Sequence, residues 1–132
     1  MRKIINVVAG AIIKEEKILC ARRKKEKSLG GLWEFPGGKI EVNELPEEAL
    51  KREIMEEMNL ELEIGEKVCT STYTYDFGEV HLTVFYCKII KGNMKLNDHD
   101  KILWLDRSEL NSLEWAPADI DAVNKIGEAT TI

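Results

Sequence analysis

The chain contains 132 residues, of which 44% are hydrophobic, a size and composition typical of one soluble domain with a packed core. Its formal net charge of -5 argues against a surface for nucleic-acid polymers, because non-specific binding of that kind needs clustered lysines and arginines. No apolar run is long enough for a membrane span, and the N-terminal segment becomes charged too early for a signal peptide. We therefore expect a single cytoplasmic domain over residues 1–132 with no membrane partner; the sequence leaves monomer and homodimer open.

Two extended segments open the chain. Residues 4–13 are rich in Val, Ile and Ala, a charged turn follows, and residues 18–23 alternate between apolar and polar side chains, which predicts a hairpin. The basic, glycine-containing segment 22–31 predicts either a loop that closes over an anion or a solvated loop. Residues 32–35 predict a short extended piece, because the following proline disfavours helix in the residue before it.

One helix is predicted next. Asn43 is a candidate N-cap, and Pro46 suits the first turn of a helix that runs to about Met58. Leu50, Ile54 and Met58 follow at four-residue spacing, so one apolar stripe can pack on a sheet.

The same helix carries a cluster of carboxylates beside that stripe. Glu53, Glu56 and Glu57 fall within an arc of about 100° at helical spacing. Like charges at this spacing repel one another, and a bound cation would offset this repulsion. A hard divalent ion such as Mg²⁺, which binds carboxylate oxygens together with substrate phosphates, would serve as that cation.

The second half of the chain returns to strands. Residues 62–75 and 80–90 predict two strands joined by a turn, and residues 101–105 predict another. Ser108 opens a short helical turn, and Pro117 begins a helix that ends near Gly127. The mixed order of strands and helices predicts an α/β or α+β sandwich with a mixed sheet and helices on both faces.

Cysteine usage favours a reducing compartment. Cys20, Cys69 and Cys87 are odd in number, far apart and set in apolar strand-like segments. We expect buried free thiols, with neither a zinc site nor a disulfide.

The acidic helix and the turn before it resemble the signature of a known family, the Nudix box. The matching positions are Gly38, Glu44, Arg52-Glu53-Ile54, Glu56-Glu57 and Asn59-Leu60. One position departs from the pattern, since the family usually has glycine where this chain has Asn59. Asparagine tolerates the left-handed conformation of a helix C-terminus, so the turn can still form.

Two further segments are similar to MutT-type and cytidine-triphosphate-cleaving Nudix hydrolases. Residues 32–39 read LWEFPGGK, and residues 115–120 read WAPADI. The resemblance implies a Nudix-type α/β/α sandwich, in which a nucleoside triphosphate is cleaved to the monophosphate and pyrophosphate.

The resemblance also implies a ligand set and a mechanism. The carbonyl oxygen of Gly37 and the carboxylates of Glu53, Glu56 and Glu57 would hold Mg²⁺ or Mn²⁺, and Glu44 and Arg52 would brace the loop and helix through an ion pair. Glu53 is one candidate general base. Asp98 is another candidate general base. It is also a further candidate metal ligand, because related enzymes carry a metal-binding glutamate near this place.

Two other residues of segment 97–100 have alternative interpretations. His99 and Asp100 are neighbours that could take the role of Asp98, whereas a plain polar loop is the alternative.

Candidate substrate contacts lie outside the box. Arg23 and Lys39 could pair with phosphate oxygens, or could be solvated surface cations. Phe35 and Tyr75, with Tyr73 and Phe77 beside them in sequence, are either base-stacking or packing residues.

Asp119 is the sharpest candidate for reading the base. An ionised aspartate only accepts hydrogen bonds, which suits the exocyclic amine of cytosine. The alternatives are that Asp119 is protonated or that it caps the helix after Pro117. The expected substrates are (deoxy)cytidine triphosphates, modified cytosines included. The alternatives are 8-oxo-dGTP hydrolysis and, from another class, a nucleotide-binding module without turnover, which the intact box glutamates disfavour.

Overall fold

The computed structural model describes residues 2–129. Along the chain it contains strands β1 (Ile4–Lys14), β2 (Lys17–Arg23), β3 (Trp33–Glu34) and β4 (Gly37–Lys39), then helix α1 (Pro46–Met58). Strands β5 (Leu60–Tyr75), β6 (Gly78–Gly92) and β7 (His99–Asp106) follow. Two 3₁₀ helices (Arg107–Ser112 and Pro117–Asp119) precede helix α2 (Ile120–Glu128). No helix in the described range is long and apolar enough to cross a bilayer.

The strands form a mixed sheet in the order β3-β2-β1-β6-β5, with β4 paired to β1 and β7 paired to β2. Strand β1 is parallel to β6, in the register Val7↔Leu82, and antiparallel to β2 and β4. The predicted hairpin is confirmed, with Ile13 opposite Ile18. The prediction of a mixed sheet with helices is therefore confirmed.

Two apolar clusters lie on opposite faces of β1, because alternate side chains of a strand point to opposite faces. Val8 and Ile12 belong to the cluster that includes Leu50, Ile54 and Met58 of α1. Ala9 and Ala11 belong to the other cluster, which includes Ala122, Val123 and Ile126 of α2. The apolar stripe of α1 is fully buried, so packing fixes which way its carboxylates face.

The start of α1 differs from the prediction. Asn43 is not the N-cap: it adopts a left-handed conformation (φ 66°) in the preceding loop. Leu45 is the N-cap residue, with extended backbone. Its N–H donates to the Glu48 side chain at 2.9 Å, so a glutamate in the first turn replaces the expected asparagine as the capping partner.

The predicted end of α1 is confirmed. Asn59 adopts the left-handed conformation (φ 58°, ψ 38°), and its N–H donates to the carbonyl of Met55. Near the C-terminus, Pro117 begins a 3₁₀ turn, and regular α-helix starts only at Ile120.

The cysteines are free, as predicted. Cys20 and Cys87 are buried, and burial raises the pKa of each thiol to about 12. Cys69 is only half-buried, so the prediction of full burial was wrong for that residue.

Candidate functional site

A cavity of about 530 Å³ opens between the C-terminal half of α1, the loop before β3 and the segment ahead of α2. Most of the residues singled out from the sequence line it. They are Arg23, Phe35, Gly37, Lys39, Glu53, Glu57, Tyr75, Asp98 and Asp119. The candidates outside its lining are Glu44, Arg52, Glu56, Tyr73, His99 and Asp100.

Acidic side chains meet at one end of this cavity. Glu53 and Glu57 are one helical turn apart on α1, and Asp98 precedes β7. The pKa of Glu57 is raised to about 9, first by burial and then by the neighbouring Asp98 and Glu53 carboxylates. The pKa of Asp98 is lowered by its hydrogen bond to Glu57 and by Lys27. The proton of this pair therefore resides on Glu57, whose carboxyl group donates a hydrogen bond to the Asp98 carboxylate.

These residues fit a divalent cation in charge and donor type. The donors are hard carboxylate oxygens, and their repulsion is relieved by a proton that a cation would displace. A Cβ at Gly38 would collide with the Glu53 carboxyl group, so glycine at this turn is what lets that carboxylate approach the loop. Within residues 2–129, however, no three Asp, Glu, His or Cys side chains already form a metal-binding group.

The position of Glu56 is one reason why the carboxylates do not already form a metal-binding group. Its carboxylate lies 3.5 Å from the Arg52 guanidinium and is 60% exposed. The three glutamates share one face of the helix in sequence, but Glu56 turns away from the cavity that Glu53 and Glu57 line.

Arg52 and Glu44 form the expected ion pair beside this cluster. Arg52 donates to both Glu44 oxygens, at 2.8 and 3.0 Å. It also donates to the carbonyl of Lys39 at 3.1 Å and to Glu53 at 2.7 Å. The guanidinium lowers the pKa of Glu44 to about 2. Arg52 thus ties the glycine turn, the loop and the helix together.

A second polar network lies along the cavity wall. Arg23 donates to the two oxygens of Glu34 at 3.3 and 3.2 Å and to the carbonyl of Ser28 at 2.6 Å. Glu34 also contacts the buried ring of His99 at 2.8 Å. Sequence reasoning missed Glu34; the available signal was a charged residue between two buried aromatic residues in a strand.

The neighbours of Asp98 do not share its position. His99 begins β7 and its side chain is only 1% exposed, so the polar-loop interpretation of this residue was wrong. Strand pairing with Arg23 draws His99 into the sheet. Asp100 points elsewhere, pairing with Arg22 at 2.7 Å.

The other end of the cavity is mostly apolar. Phe35 packs against Trp115 with ring centroids 4.8 Å apart, and Tyr75 stacks on Phe77 at 5.0 Å. The Tyr75 hydroxyl accepts a hydrogen bond from the Ala118 N–H at 2.8 Å. Tyr73 contacts Tyr75 but lies outside the cavity lining.

Asp119 is buried at this end. Its Oδ2 accepts a hydrogen bond from the Phe35 N–H at 2.9 Å and makes no capping bond to the helix, so the capping alternative was wrong. Burial, and then the negative charge of Glu34, raise its pKa well above the ordinary range. Of the ionised and protonated forms that the sequence leaves open, this upward shift of the pKa favours the protonated one.

Trp115 and His81 make structural contacts. Trp115 is a buried packing residue whose indole N–H donates to the carbonyl of Leu110. His81 contacts Glu79 at 2.6 Å within the sheet.

Comparison with known proteins identifies similar chains. The model of the NUDIX domain matches residues 8–125. The CTP pyrophosphohydrolase of Escherichia coli is 36% identical over 118 residues, covering 89% of this chain and 87% of that protein. The 8-oxo-dGTP diphosphatase of Proteus vulgaris is 34% identical over 98 residues, covering 74% of this chain and 86% of that protein.

A solved structure is also similar. The MutT protein of methicillin-resistant Staphylococcus aureus 252, described as a Nudix hydrolase, is 52% identical, with a TM-score of 0.79 and coverage of 96% of this chain and 98% of that one.

Proposed function

Because the chain belongs to the Nudix domain family, we propose that it is a single-domain enzyme that hydrolyses nucleoside triphosphates to the monophosphate and pyrophosphate. One observation carries the proposal. A single cavity is lined by carboxylates of α1 at one end and by Phe35, Tyr75 and Asp119 at the other. The first end suits a metal-bound phosphate chain, and the second suits an aromatic base.

The proposed metal ligands are oxygen donors around the glycine turn. The carbonyl of Gly37 and the side chains of Glu53, Glu56, Glu57 and Asp98 would hold Mg²⁺ or Mn²⁺. Such an ion neutralises phosphate oxygens and lowers the pKa of a bound water. Glu56 would have to leave Arg52 to take part, whereas Glu53 and Glu57 already line the cavity.

The chain's own residues position the reactants. Arg52 and Glu44 fix the loop against the helix, so that the Gly37 carbonyl and Glu53 keep their relative positions. Arg23 lines the cavity with a guanidinium that matches phosphate oxygens in geometry and charge, and Lys39 adds a second cation. Glu53 or Asp98 accepts the proton of the attacking water, since both are carboxylates on the cavity wall.

The proposed base preference rests on Asp119, and the protonated form of its side chain can make different hydrogen bonds from the ionised form. A neutral carboxylic acid both donates and accepts. It can donate to the ring N3 of cytosine while it accepts from the exocyclic amine, which supports (deoxy)cytidine triphosphates and modified cytosines. The name of the 36% identical CTP pyrophosphohydrolase agrees with this choice.

The same neutral acid gives a second candidate. It can donate to O6 of 8-oxoguanine while it accepts from N1–H, which supports 8-oxo-dGTP as the substrate. The 8-oxo-dGTP diphosphatase of Proteus vulgaris is similar to this chain over most of its length.

The test is a pyrophosphate-release assay with Mg²⁺ over canonical, oxidised and methylated nucleoside triphosphates. We expect turnover that Glu57→Gln abolishes. Because an amide, like a neutral acid, both donates and accepts, Asp119→Asn should leave the ratio of kcat/KM for dCTP to that for 8-oxo-dGTP nearly unchanged; a shift away from dCTP would show that Asp119 acts as an ionised acceptor. If no triphosphate is hydrolysed, yet nucleotide binds equally to wild type and Glu57→Gln, the chain is a binding module and the proposal fails.

A further inference from the structure

A buried histidine is joined to the cavity wall through one carboxylate. Arg23 ends β2, Glu34 ends β3 and His99 begins β7. Strand pairing sets Arg23 opposite His99 and Glu34 opposite Ala21 of the same β2 strand. The three side chains therefore converge because of the sheet register, although they are far apart in sequence.

Among residues 2–129, the imidazole of His99 has one hydrogen-bond partner. Its Nε2 lies 2.8 Å from Glu34 Oε2, and its side chain is 1% exposed. Because a carboxylate only accepts hydrogen bonds, Nε2 is the donor. Nδ1 is buried, and among the described residues it has no hydrogen-bond partner. An unsatisfied buried nitrogen is costly, so packing alone would favour an apolar side chain at this position.

Glu34 passes this contact on to Arg23. The oxygen that faces His99 also accepts from Arg23 Nη1 at 3.2 Å, and the second oxygen accepts from the same nitrogen at 3.3 Å. Arg23 and Glu34 both line the cavity, and their side chains are 21% and 19% exposed. The other contacts of the Arg23 side chain are to Ser28 in the loop before β3, a less rigid support than a buried side chain on a strand.

We propose that His99 is a positioning residue which, through Glu34, holds the Arg23 guanidinium towards the phosphates of the substrate. The proposal rests on the proposed function, because it assigns Arg23 to a phosphate chain. His99 itself touches no substrate. Since Arg23 binds phosphate before and during the reaction, loss of its support should raise KM more than it lowers kcat.

A double-mutant cycle tests this arrangement. KM and kcat are measured with a triphosphate that the wild type hydrolyses, for His99→Leu, Arg23→Ala and the double variant. We expect His99→Leu to raise KM about tenfold, equivalent to about 1.4 kcal/mol, with kcat changed less than about threefold. In the Arg23→Ala background the same substitution should raise KM no further. Equal effects in both backgrounds, or an unchanged KM in His99→Leu, overturn the proposal.

Three further variants control for a general loss of structure. His99→Gln keeps an N–H donor, so its KM should be close to the wild-type value. His81→Leu removes the other histidine, which lies outside the cavity lining, and should leave KM unchanged. If His99→Leu does not fold, Glu34→Gln enters the same cycle in its place, because it weakens the contact at a partly exposed residue.

A spectroscopic measurement separates failure of this inference from failure of the proposed function. The ¹⁵N–¹H resonance of Arg23 Nε is compared in wild type and His99→Leu without nucleotide. A clear shift supports the positioning contact even if no triphosphate is hydrolysed, in which case only the proposed function fails. An unchanged resonance overturns the positioning role whatever the enzyme hydrolyses.

Discussion

Replacing Glu57 by glutamine should stabilise the metal-free protein at neutral pH. Its carboxyl pKa is raised from 4.5 to about 9 by burial and by the neighbouring carboxylates. The folded state therefore prefers the protonated acid, and stability that is complete below about pH 4.5 is lost as the pH rises towards 9. Glutamine is neutral at every pH and does not incur this loss.

The magnitude follows from the interval over which the folded and unfolded chains differ in protonation. From 4.5, the ordinary pKa, to an assay pH of about 7.5 the interval is roughly three pH units, each worth about 1.4 kcal/mol. The upper bound is about 4 kcal/mol. Because the side chain is only half-buried, solvent screening reduces the expected gain to about 1–2 kcal/mol.

The assay is urea unfolding in EDTA at pH 4.5 and 7.5, followed by the same measurement in excess Mg²⁺. Glu57→Gln should exceed the wild type only at pH 7.5, and Mg²⁺ should stabilise the wild type more than the variant, because a ligand of the native state adds to its stability. Glu56→Gln is the matched control on the same helix: its carboxylate is 60% exposed and faces Arg52, so no comparable gain is expected. Identical stability of Glu57→Gln and wild type at both pH values would refute the reasoning.

Three other predictions follow from single contacts. Gly38→Ala should lower kcat at least tenfold with an unchanged circular dichroism spectrum, because the new Cβ would displace the Glu53 carboxyl group; wild-type kcat would contradict this. Asn59→Ala should cost about 1 kcal/mol in urea unfolding, because its left-handed backbone (φ 58°) is unfavourable for alanine, and Asn59→Gly should cost less. In native protein, a thiol reagent should modify half-buried Cys69 before buried Cys20 and Cys87, whose pKa values are about 12; equal rates would show that the core opens readily.

The elements that the sequence predicted well are those whose signals are local. The stripe Leu50, Ile54 and Met58 repeats at helical spacing within one segment, and all three side chains are fully buried. The left-handed conformation of Asn59 was predicted from the resemblance to the Nudix box, which usually has glycine there, and from the tolerance of asparagine for that conformation. The N-cap of α1 was mispredicted because Asn43 lies in the preceding loop with a left-handed backbone, and the Glu48 side chain, in the first turn of the helix, accepts the hydrogen bond of the Leu45 N–H.

The polar residues around the cavity were harder to predict, because sheet register determines their surroundings. His99 reads as part of a polar loop, and only its pairing opposite Arg23 in β2 buries it beside Glu34. Glu56 and Glu57 are adjacent in sequence, yet Glu57 meets Asp98 from 41 positions away while Glu56 meets Arg52. Helical periodicity alone does not predict that these two adjacent glutamates have different partners.

Asp119 shows why the two ends of the cavity differ in predictability. At the phosphate end, oxygen donors and opposite charges are sufficient, so residue types at fixed spacing carry most of the information. At the base end, recognition depends on which atoms hold protons, and burial beside Glu34 favours the neutral form of Asp119. That form fits the hydrogen-bonding edges of both cytosine and 8-oxoguanine, so under the proposed function the shape of the cavity and stacking against Phe35 and Tyr75 must decide between the two proposed substrates.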